Sequence, residues 1–399
     1  MVPSYYHHES EVATELRFFY FPPHDYFKSM LLIEYILLGL TVLYLGEMIF
    51  FRLGLERNAS FDKNYSYQPN VSIIVAARNE ERNIGECLAA LVKLDYLKEK
   101  FEIIIVDDGS TDQTSSVVQE YSGRYPHVKL ISAESEVGNL RGKANALSQG
   151  IAQSRGEILM FTDADCTVPE AWLKETVSYY TEGVAVVAGF TFLVSEKSFD
   201  AVQAIDWFFL YGVAAATAGW NIPLTGVGNN LSVRRSAYDR VGGYRNLRFS
   251  VTEDYALVQA IWQTTRMRVR YPLNLETLVQ SKPCASWKEL YRQKQRWGVG
   301  GLEMVLRGFL LMAVHFAMHL SILVGFILAS PWVLVTAIAG KFLGDLLFLW
   351  KPIYVFKKYR LLNFFLLFEL YYSIYELLIP FVALLSKRVV WKERAFKET

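Results

Sequence analysis

The stretch Gly156-Glu-Ile-Leu-Met-Phe-Thr-Asp-Ala-Asp165 joins a short apolar run to two carboxylates, and the fold can be worked out from it. Its apolar part, Ile158 to Phe161, is typical of a buried strand, because a parallel strand covered on both faces is apolar throughout rather than alternating. Asp163 and Asp165 follow at the carboxyl end of that strand, where open α/β sheets bind their ligands. The plainer alternative is a solvated turn after a strand.

The spacing of the two carboxylates indicates a cation site. Residues i and i+2 of an extended chain point the same way, so Asp163 and Asp165 can face one ligand. Two facing carboxylates repel each other unless a cation lies between them. Mg²⁺ or Mn²⁺, held by one or two carboxylates together with a substrate diphosphate, would relieve that repulsion.

Three further strand-like runs precede this stretch, and each leads into polar residues. They are Val71 to Ala77 before Arg78-Asn-Glu-Glu-Arg82, Glu102 to Val106 before Asp107-Asp-Gly-Ser-Thr-Asp112, and Val128 to Ile131 before Arg141-Gly-Lys143. Strands that alternate with helices predict parallel βαβ units, and hence an α/β fold with a doubly wound, mostly parallel sheet. No G-x-G-x-x-G follows the first strand, which argues against a dinucleotide-binding fold.

Composition indicates a soluble domain attached to a membrane. The 399-residue chain has 41 basic and 40 acidic residues, so no basic field indicates a nucleic-acid partner. Its three cysteines are scattered without a C-x-x-C spacing, and we interpret them as reduced thiols of a cytosolic domain. Hydrophobic residues make up 52% of the chain. They are concentrated near the N-terminus and in 302–386, whereas 70–298 has the composition of a soluble protein.

A first membrane helix is predicted at 30–52, after a polar and aromatic N-terminal tail, 1–29. The run is long enough to cross a bilayer and lies too far from the start to be a cleaved signal peptide. Acidic residues precede it, and the basic residues Arg52, Arg57 and Lys63 follow it. The positive-inside rule then places the N-terminus outside and the central domain, 53–298, in the cytosol.

Two segments after the Asp pair leave alternatives open. The long apolar segment from Ala201 to Trp220 fits a helix on the membrane surface, a helix that lines an acceptor groove, or a plain core helix. Further on, Ser250-Val-Thr-Glu-Asp254 begins a predicted helix with Glu253 and Asp254 in its first turn. Acidic residues at this position are also explained by the helix dipole alone.

A basic and aromatic helix is predicted at 286–298, directly before the C-terminal apolar block, and we interpret it as interfacial. Gln293 and Arg296 are three residues apart and share one helix face, next to Trp297. Arginine can neutralise a diphosphate, and an indole can stack on the apolar face of a sugar. These three residues therefore indicate a site for a diphosphate and a sugar acceptor.

The C-terminal membrane helices are predicted within 299–386, and a basic tail, 387–399, follows them. The apolar stretches are about 302–330, 331–350 and 361–386. Three complete spans would place the basic tail outside, against the positive-inside rule. We therefore favour a re-entrant or interfacial hairpin around Pro380 for the last stretch.

Four features now follow one another along the chain: Asp107-Asp108-Gly-Ser-Thr-Asp, Asp163-Ala-Asp165, Thr252-Glu-Asp254 and Gln293-Lys-Gln-Arg296-Trp297. Together they resemble the membrane-bound family 2 glycosyltransferases, which include cellulose, chitin and hyaluronan synthases and ceramide glucosyltransferase. The resemblance covers about 70–298, and the general plan of one membrane helix before this domain and several after it. It implies a GT-A fold, a nucleotide-sugar donor, Mg²⁺ or Mn²⁺, and inversion at the anomeric carbon.

The resemblance also implies which residues bind the donor. Ala76 and Glu80, at the end of the first strand, would hold the base and the ribose. Asp108, with Asp107 beside it, would contact the base, and Lys143 would approach the nucleotide.

The remaining implied roles concern the chemistry. Asp163 would touch the ribose side of the donor, and Asp165 would bind the metal that bridges the diphosphate. Asp254, with Glu253 beside it, would be the general base that takes the proton of the acceptor hydroxyl; one inverting displacement needs only one base. The residues bracketing the diphosphate and the acceptor sugar would be Gln293, Arg296 and Trp297.

The sequence thus predicts a metal-dependent, inverting hexosyltransferase, multi-pass in the inner membrane, with its catalytic domain in the cytoplasm. Its donor would be a nucleotide sugar, with UDP the commonest base in the family and GDP left open. Its acceptor would be a lipid or a lipid-linked glycan, because the C-terminal membrane block is small. The main alternative is a processive polysaccharide synthase, and a third hypothesis is an inactive subunit that binds nucleotide sugar. The sugar, the acceptor and the oligomeric state are left open.

Overall fold

The structure is a computed structural model that describes residues 23–136, 138, 140–224, 226–386, 389–391 and 394–396. The predicted N-terminal tail up to residue 22 and most of the predicted basic tail, 387–399, lie outside these residues. The helices are α1 (Pro23–Ala59), α2 (Ile84–Leu91), α3 (Thr114–Arg124), α4 (Gly142–Ala152), α5 (Trp172–Ser178), α6 (Ser198–Gly219), α7 (Arg235–Arg240), α8 (Gly243–Asn246), α9 (Glu253–Thr265), α10 (Trp287–Gly301), α11 (Leu306–Leu328), α12 (Pro331–Val355) and α13 (Phe365–Leu385). The strands are β1 (Val71–Ala77), β2 (Phe101–Asp107), β3 (Val128–Ser132), β4 (Ile158–Thr162), β5 (Val184–Ala188), β6 (Thr191–Leu193), β7 (Asn230–Arg234), β8 (Arg268–Arg270), β9 (Val279–Ser281), β10 (Val389–Trp391) and β11 (Arg394–Phe396).

The central sheet has seven strands in the order β3-β2-β1-β4-β7-β5-β8. β1 runs parallel to β2 and β4, whereas β7 runs antiparallel to β4 and β5. The predicted doubly wound, mostly parallel sheet is confirmed. The antiparallel direction of β7 has a consequence for the site, because it places Asn230, the first residue of β7, beside Thr162, the last residue of β4.

Alternate residues of the central strands face two different cores. Ile73 and Ile103 pack with side chains from α2, α3 and α5, while Ile74 and Ile104 pack with side chains from α4, α6 and α9. Successive strand residues point to opposite faces, so strands that are apolar at every position build both layers. The second core continues into the side chains of α1, α11, α12 and α13. The sheet domain and the apolar helices therefore share one core.

The segment from Ala201 to Trp220 forms a buried core helix, α6. It lies between the sheet and the long apolar helices. Gly212 faces the ring of Phe348 in α12, and Gly54 of α1 faces the carbonyl of Ala216. Of the three alternatives for this segment, the core helix is the one observed.

α1 extends beyond the predicted membrane segment 30–52. It continues as one helix to Ala59, and its last turns contact the sheet domain. Leu55 is fully buried, and the side chain of Asn58 bonds both the N–H and the carbonyl of Tyr271. The helix continues past residue 52 because its last turns are buried against the sheet domain.

Among the residues that the structure describes, five helices are long and apolar enough, by length and composition, to cross a membrane. They are Met30–Ala59, Ser198–Gly219, Leu306–Leu328, Pro331–Val355 and Tyr359–Leu385. The second of these is the buried helix α6. α1 and α12 pack side by side in the same direction, since Gly340 faces Thr41 and Gly344 faces Met48.

The last apolar segment has no hairpin at Pro380, so that detail of the prediction is wrong. α13 is one continuous helix with Pro380 inside it. The segment nevertheless begins and ends against the sheet domain. Phe356, before α13, lies 5.0 Å ring to ring from Phe190, and Ser386, after α13, accepts a 2.8 Å hydrogen bond from Gln295 of α10. The segment thus begins and ends next to the sheet domain.

Candidate active site

The candidate site lies at the carboxyl ends of β1, β2 and β4, next to the start of β7. Because β7 is antiparallel to β4, the loop before β7, residues 226–229, lies against the end of β4. The Thr162 hydroxyl donates a hydrogen bond to the carbonyl of Asn229 at 3.0 Å. The Asn229 side chain in turn accepts from the hydroxyls of Thr191 and Tyr211 at 3.0 and 2.7 Å. These bonds hold the loop before β7 against the end of β4, where the predicted cation site begins.

Lys143, in the first turn of α4, links carboxylates from two distant parts of the chain. Its Nζ lies 2.6 Å from Oδ1 of Asp163 and 3.5 Å from Oε1 of Glu253. Burial alone would lower the pKa of Lys143, but the carboxylates of Asp163 and Glu253 outweigh that effect and raise the pKa above its usual value. The charged lysine thus holds the end of β4 to the start of α9.

Asp254 is the carboxylate whose environment is most altered. Its Oδ2 accepts a 2.6 Å hydrogen bond from the N–H of Gly228, and its Oδ1 accepts one from the N–H of Tyr255 at 2.8 Å. Burial raises the pKa of Asp254 to about 6, repulsion from Glu253 adds to the rise, and Lys143 opposes it. At neutral pH this carboxylate is deprotonated, yet more basic than an exposed aspartate, as a general base should be.

Two glycines allow the 226–229 loop to approach α9 and Lys143. A Cβ at Gly226 would come within 2.8 Å of the Val258 side chain, and a Cβ at Gly228 within 3.2 Å of Asp254 Oδ2 and 3.3 Å of Lys143 Nζ. Any side chain at Gly228 would therefore press on both groups. Sequence reasoning missed this contact, although two glycines just before a strand are visible in the sequence.

Asp165 lies beside two buried thiols. The thiol of Cys166 donates to Asp165 Oδ1 at 3.5 Å, and that of Cys87 donates to the Asp163 carbonyl at 3.6 Å. Burial, reinforced by these carboxylates, raises the pKa of both thiols well above the usual value, so they remain neutral. Both cysteines are free, as the sequence predicts, and they pack beneath the Asp pair as small buried side chains.

The side chains at the end of β4 suit a hard cation that also has ligands from a substrate. Within the described part of the chain, no group of three or more His, Cys, Asp or Glu side chains could hold a metal ion by itself. Asp163 is already paired with Lys143. A cation at Asp165 would therefore need oxygens from a diphosphate or from water, which is how Mg²⁺ sites with one or two carboxylates are completed.

The predicted donor residues lie on two interlocked loops, which follow β1 and β2. The N–H of Asp108 donates to the carbonyl of Ala77 at 2.8 Å, and the Arg78 guanidinium donates to the carbonyl of Asp108 at 2.6 Å. Asn79, which has a φ of +54°, accepts from the N–H of Thr111 at 2.9 Å. Sequence reasoning gave Arg78 and Asn79 no role, although polar residues directly after a strand are a usable signal.

The other predicted donor residues occupy the same edge of the sheet. Ala76 is half-buried near the end of β1. Glu80 is buried and accepts from the side-chain amide of Asn83 at 2.7 Å. Asp107 instead closes the turn after β2, because its Oδ1 accepts from both the N–H and the hydroxyl of Ser110. The structure thus gives the Asp107 carboxylate a local structural bond that the sequence did not predict.

α10 carries Gln293, Arg296 and Trp297, and it passes close to the start of α9. A Cβ at Gly300 would come within 2.5 Å of the Thr252 side chain, so the two helices touch next to Glu253 and Asp254. Oε1 of Gln293 is buried and has no hydrogen-bond partner among the described residues. The structure therefore places the predicted acceptor helix directly beside the predicted base.

Comparison with known proteins bears on the family and the fold of the central domain. The family model described as glycosyl transferase family 2 matches residues 72–256. The chain is 31% identical over 272 residues to the probable glycosyltransferase YdaM of Bacillus subtilis, which covers 63% of this chain and 60% of that protein. It is 30% identical over 249 residues to a beta-monoglucosyldiacylglycerol synthase of Synechocystis, covering 60% and 49%. A poly-beta-1,6-N-acetyl-D-glucosamine synthase of Staphylococcus aureus is 27% identical, covering 63% and 59%.

The chain matches about half to three fifths of the length of these relatives. Among solved structures, the mannosyltransferase PcManGT of Pyrobaculum calidifontis, in complex with GDP-Man and Mn²⁺, superposes with a TM-score of 0.58 at 20% identity. The superposition covers 88% of this chain and 99% of that protein, and it shows a shared GT-A fold. Residues 72–256 of this chain are a glycosyl transferase family 2 domain.

Proposed function

We propose that the chain is an inverting glycosyltransferase that moves a sugar from a nucleotide sugar to a lipid or lipid-linked acceptor at the cytosolic face of a membrane. The observation that carries the proposal is the position of Asp254. Its carboxylate is held by the N–H of Gly228, lies next to Lys143, and belongs to the helix that touches α10. A base, a cationic side chain and a candidate acceptor helix thus meet at the edge of the sheet.

The proposed reaction is a single displacement at the anomeric carbon. Asp254 accepts the proton of the acceptor hydroxyl while the oxygen attacks, and the bond between the sugar and the diphosphate breaks. Lys143 and Arg296 provide positive charge on the nucleotide side, where the leaving diphosphate gains charge. Asp165 would hold Mg²⁺ or Mn²⁺, which when bound supplies further charge neutralisation of that diphosphate. One base suffices, and the attack inverts the anomeric configuration.

The donor end of the site is assigned by the same reasoning. Ala76, Glu80 and Asp108 line the strand edge next to the Asp pair, where a base and ribose would lie. Burial raises the pKa of Cys87, and Asp165, Asp163 and Glu80 add to the rise, so all three carboxylates lie near this thiol. UDP is our first choice of nucleotide, and GDP is the second, since the superposed mannosyltransferase binds GDP-Man.

Attachment to the membrane is proposed to use α1, α11 and α12 as spans and the segment of α13 as a re-entrant helix. Basic residues follow α1 at its junction with the sheet domain, and by the positive-inside rule they support a cytosolic location for this domain. Both ends of the α13 segment contact the sheet domain, so the basic tail would also lie there. This arrangement removes the conflict that three complete spans create, and the inner membrane is its proposed location.

A lipid acceptor is favoured over a growing polysaccharide, although the relatives include both kinds of enzyme. The beta-monoglucosyldiacylglycerol synthase of Synechocystis is named for a lipid product, and it is more similar to this chain than the poly-beta-1,6-N-acetyl-D-glucosamine synthase of Staphylococcus aureus. Product size separates the two, since a processive enzyme would make material that stays at the chromatographic origin.

The test incubates the detergent-purified full chain with UDP- and GDP-sugars, Mg²⁺ or Mn²⁺, and a total lipid extract from the source organism. We expect one labelled product that migrates as a lipid. Asp254→Asn should lower the rate by about 10²–10⁴-fold, the contribution typical of a general base. The matched control is Asp95→Asn, since Asp95 is an exposed residue of the same domain and its carboxylate pairs with Lys174 at the surface.

Two results would overturn the proposal. Unchanged transfer by Asp254→Asn would exclude this base. Binding of a nucleotide by the unaltered chain, without transfer from any donor in the panel, would favour the inactive binding subunit.

A further inference from the structure

A buried ion pair joins the acceptor helix, α10, to α6. Neither of its residues has been given a role in the site so far. Lys294 of α10 pairs with Asp206 of α6, and their side chains are only 6% and 5% exposed. Lys294 stands between Gln293 and Arg296 in the sequence and is buried, whereas those two residues are partly exposed. Removing one partner of a buried ion pair leaves an uncompensated charge, so such a pair holds its two helices in a defined position.

Aromatic rings complete the surroundings of this pair. Nζ of Lys294 lies 4.5 Å from the ring centroid of Trp297 and 4.8 Å from that of Tyr375 in α13. The hydroxyl of Tyr371, also in α13, donates to Asp206 at 3.4 Å. A desolvated ammonium is attracted to the face of an aromatic ring. Lys294 therefore fixes the orientation of Trp297 as well as the position of α10.

One face of α6 contacts α10 and the residues just before it. Gln203, Asp206 and Trp207 are spaced three and four residues apart, so they share that face. The Gln203 amide bonds both backbone groups of Cys284, just before α10, at 3.1 and 2.9 Å. Trp207 lies 5.6 Å from Trp297, ring to ring. The start, the middle and the end of the segment that carries the acceptor motif are thus each held by α6.

α13 also contacts α10, next to the Lys294 side chain. Gly298, directly after Trp297, faces Ile379 and Ala383, where an added Cβ would come within 2.9 Å of the Ile379 side chain. Gln295 donates to Ser386 at 2.8 Å. α10 is therefore held both by a core helix of the sheet domain and by an apolar helix of the membrane block.

We propose that Asp206 and Lys294 are positioning residues for the acceptor half of the site. They seat Gln293, Arg296 and Trp297 against the base only when α13 is packed in place, so that transfer depends on the assembled membrane block more strongly than nucleotide binding does. The inference rests on the proposed function, because it takes those three residues to contact the acceptor and the diphosphate. It adds that contacts of α10 with α6 and α13 set the positions of these three side chains.

The test compares Lys294→Met, Lys294→Arg and Tyr371→Phe in the full chain, reconstituted in vesicles of the lipid extract that supports transfer. We expect Lys294→Met to lower transfer about 10–100-fold, mainly through kcat and the dependence on lipid acceptor. The KM for donor and the Kd of UDP or GDP with Mn²⁺ should rise by only about two- to fourfold, through the disturbed contact of Arg296 with the diphosphate. Lys294→Arg, which keeps the charge, should restore at least a third of the activity.

Tyr371→Phe keeps the test decisive if Lys294→Met fails to fold, because it removes only the hydroxyl that donates to Asp206. We expect this variant to lower transfer about two- to fivefold without changing nucleotide affinity. Equal losses in nucleotide binding and transfer, or full activity of Lys294→Met, would overturn the proposal. Failure of the proposed function itself is distinguished by Asp254→Asn in the same vesicles, since that variant would then transfer at the normal rate.

Discussion

Two clusters in this chain are built from the same chemical groups, one lysine and its neighbouring carboxylates, and they differ in what surrounds them. In the sheet domain, Lys143 contacts Asp163 and Glu253. Among the apolar helices, Lys341 contacts Asp345 and Glu369. The side chains of the first cluster are 11–36% exposed, whereas those of the second are at most 1% exposed.

The backbone supports of the two clusters also differ. Lys341 and Asp345 are one turn apart on α12, and Glu369 reaches them from α13, so regular helices hold all three. In the sheet domain the residues come from a strand end and from the first turns of α4 and α9. Groups at such positions can exchange a protein partner for a ligand, whereas a fully buried cluster can lose a partner only if helices separate. The first arrangement suits chemistry, and the second suits assembly of the helices.

The sharpest way to break this comparison is to replace each lysine by methionine. Lys143→Met should fold normally and lower transfer by about 10²–10³-fold, because it removes positive charge from a site that must stabilise a leaving diphosphate. Lys341→Met should lower the free energy of unfolding by about 3–5 kcal/mol, because two buried carboxylates lose their cation. Thermal unfolding in detergent and transfer assays on the surviving folded fraction measure the two effects.

The exposed Lys93 provides the control, since Lys93→Met should change neither quantity. An unfolded Lys143→Met, or a Lys341→Met that is stable but inactive, would reverse the roles that we assign to the clusters.

A second prediction sharpens the comparison through pH. Because the pKa of Asp254 is raised to about 6, transfer should fall about tenfold per pH unit below that value, as the base becomes protonated. Lys143 lowers the pKa of Asp254, so Lys143→Met should move this acid limb to higher pH. The measurement is the rate between about pH 3.5 and 8 at saturating donor. An acid limb near pH 4 in both proteins would show that Asp254 is not the group that titrates.

How much of this could be predicted from the sequence differs between the sheet domain and the helices. Strand positions followed from apolar runs, and the site carboxylates followed from the polar residues at their ends. Both signals are local, since neighbours along the chain produce them. The proximity of Asp163 and Asp254 was implied only by the family resemblance, because nothing local brings together residues on β4 and α9.

The details that the sequence did not reveal all depend on contacts between distant segments. α1 continues past residue 52 because Leu55 and Asn58 are buried against the sheet domain. α13 passes through Pro380 as one helix, where local reasoning favours a break. The sequence predicts that Lys294 belongs to a basic interfacial helix, whereas in the structure it is buried and paired with Asp206 of α6. Each is a case in which tertiary packing outweighs the local preference.

The smallest expected effect is a change in the free energy of unfolding that results from the raised pKa of Asp254. The unfolded chain releases its proton near pH 4, whereas the folded protein retains the proton up to about pH 6. Between those values the folded state binds more protons, so its stability falls as pH rises from about 4 to 6 and stays lowered above that range. Asp254→Asn removes this penalty and should raise the free energy of unfolding by about 1–2 kcal/mol at pH 7.5, after allowing for the partial exposure of the side chain.

Thermal unfolding of both proteins at pH 7.5 and pH 4.5 checks this prediction, and the gain should shrink at the lower pH. Asp345→Asn provides the contrast, because it removes a carboxylate that pairs with a fully buried lysine and should destabilise the protein. A gain at Asp254 and a loss at Asp345 would show that one cluster is kept for catalysis at a cost in stability, while the other is kept for the fold. Loss of stability at both positions would mean that the Asp254 carboxylate is also a structural group.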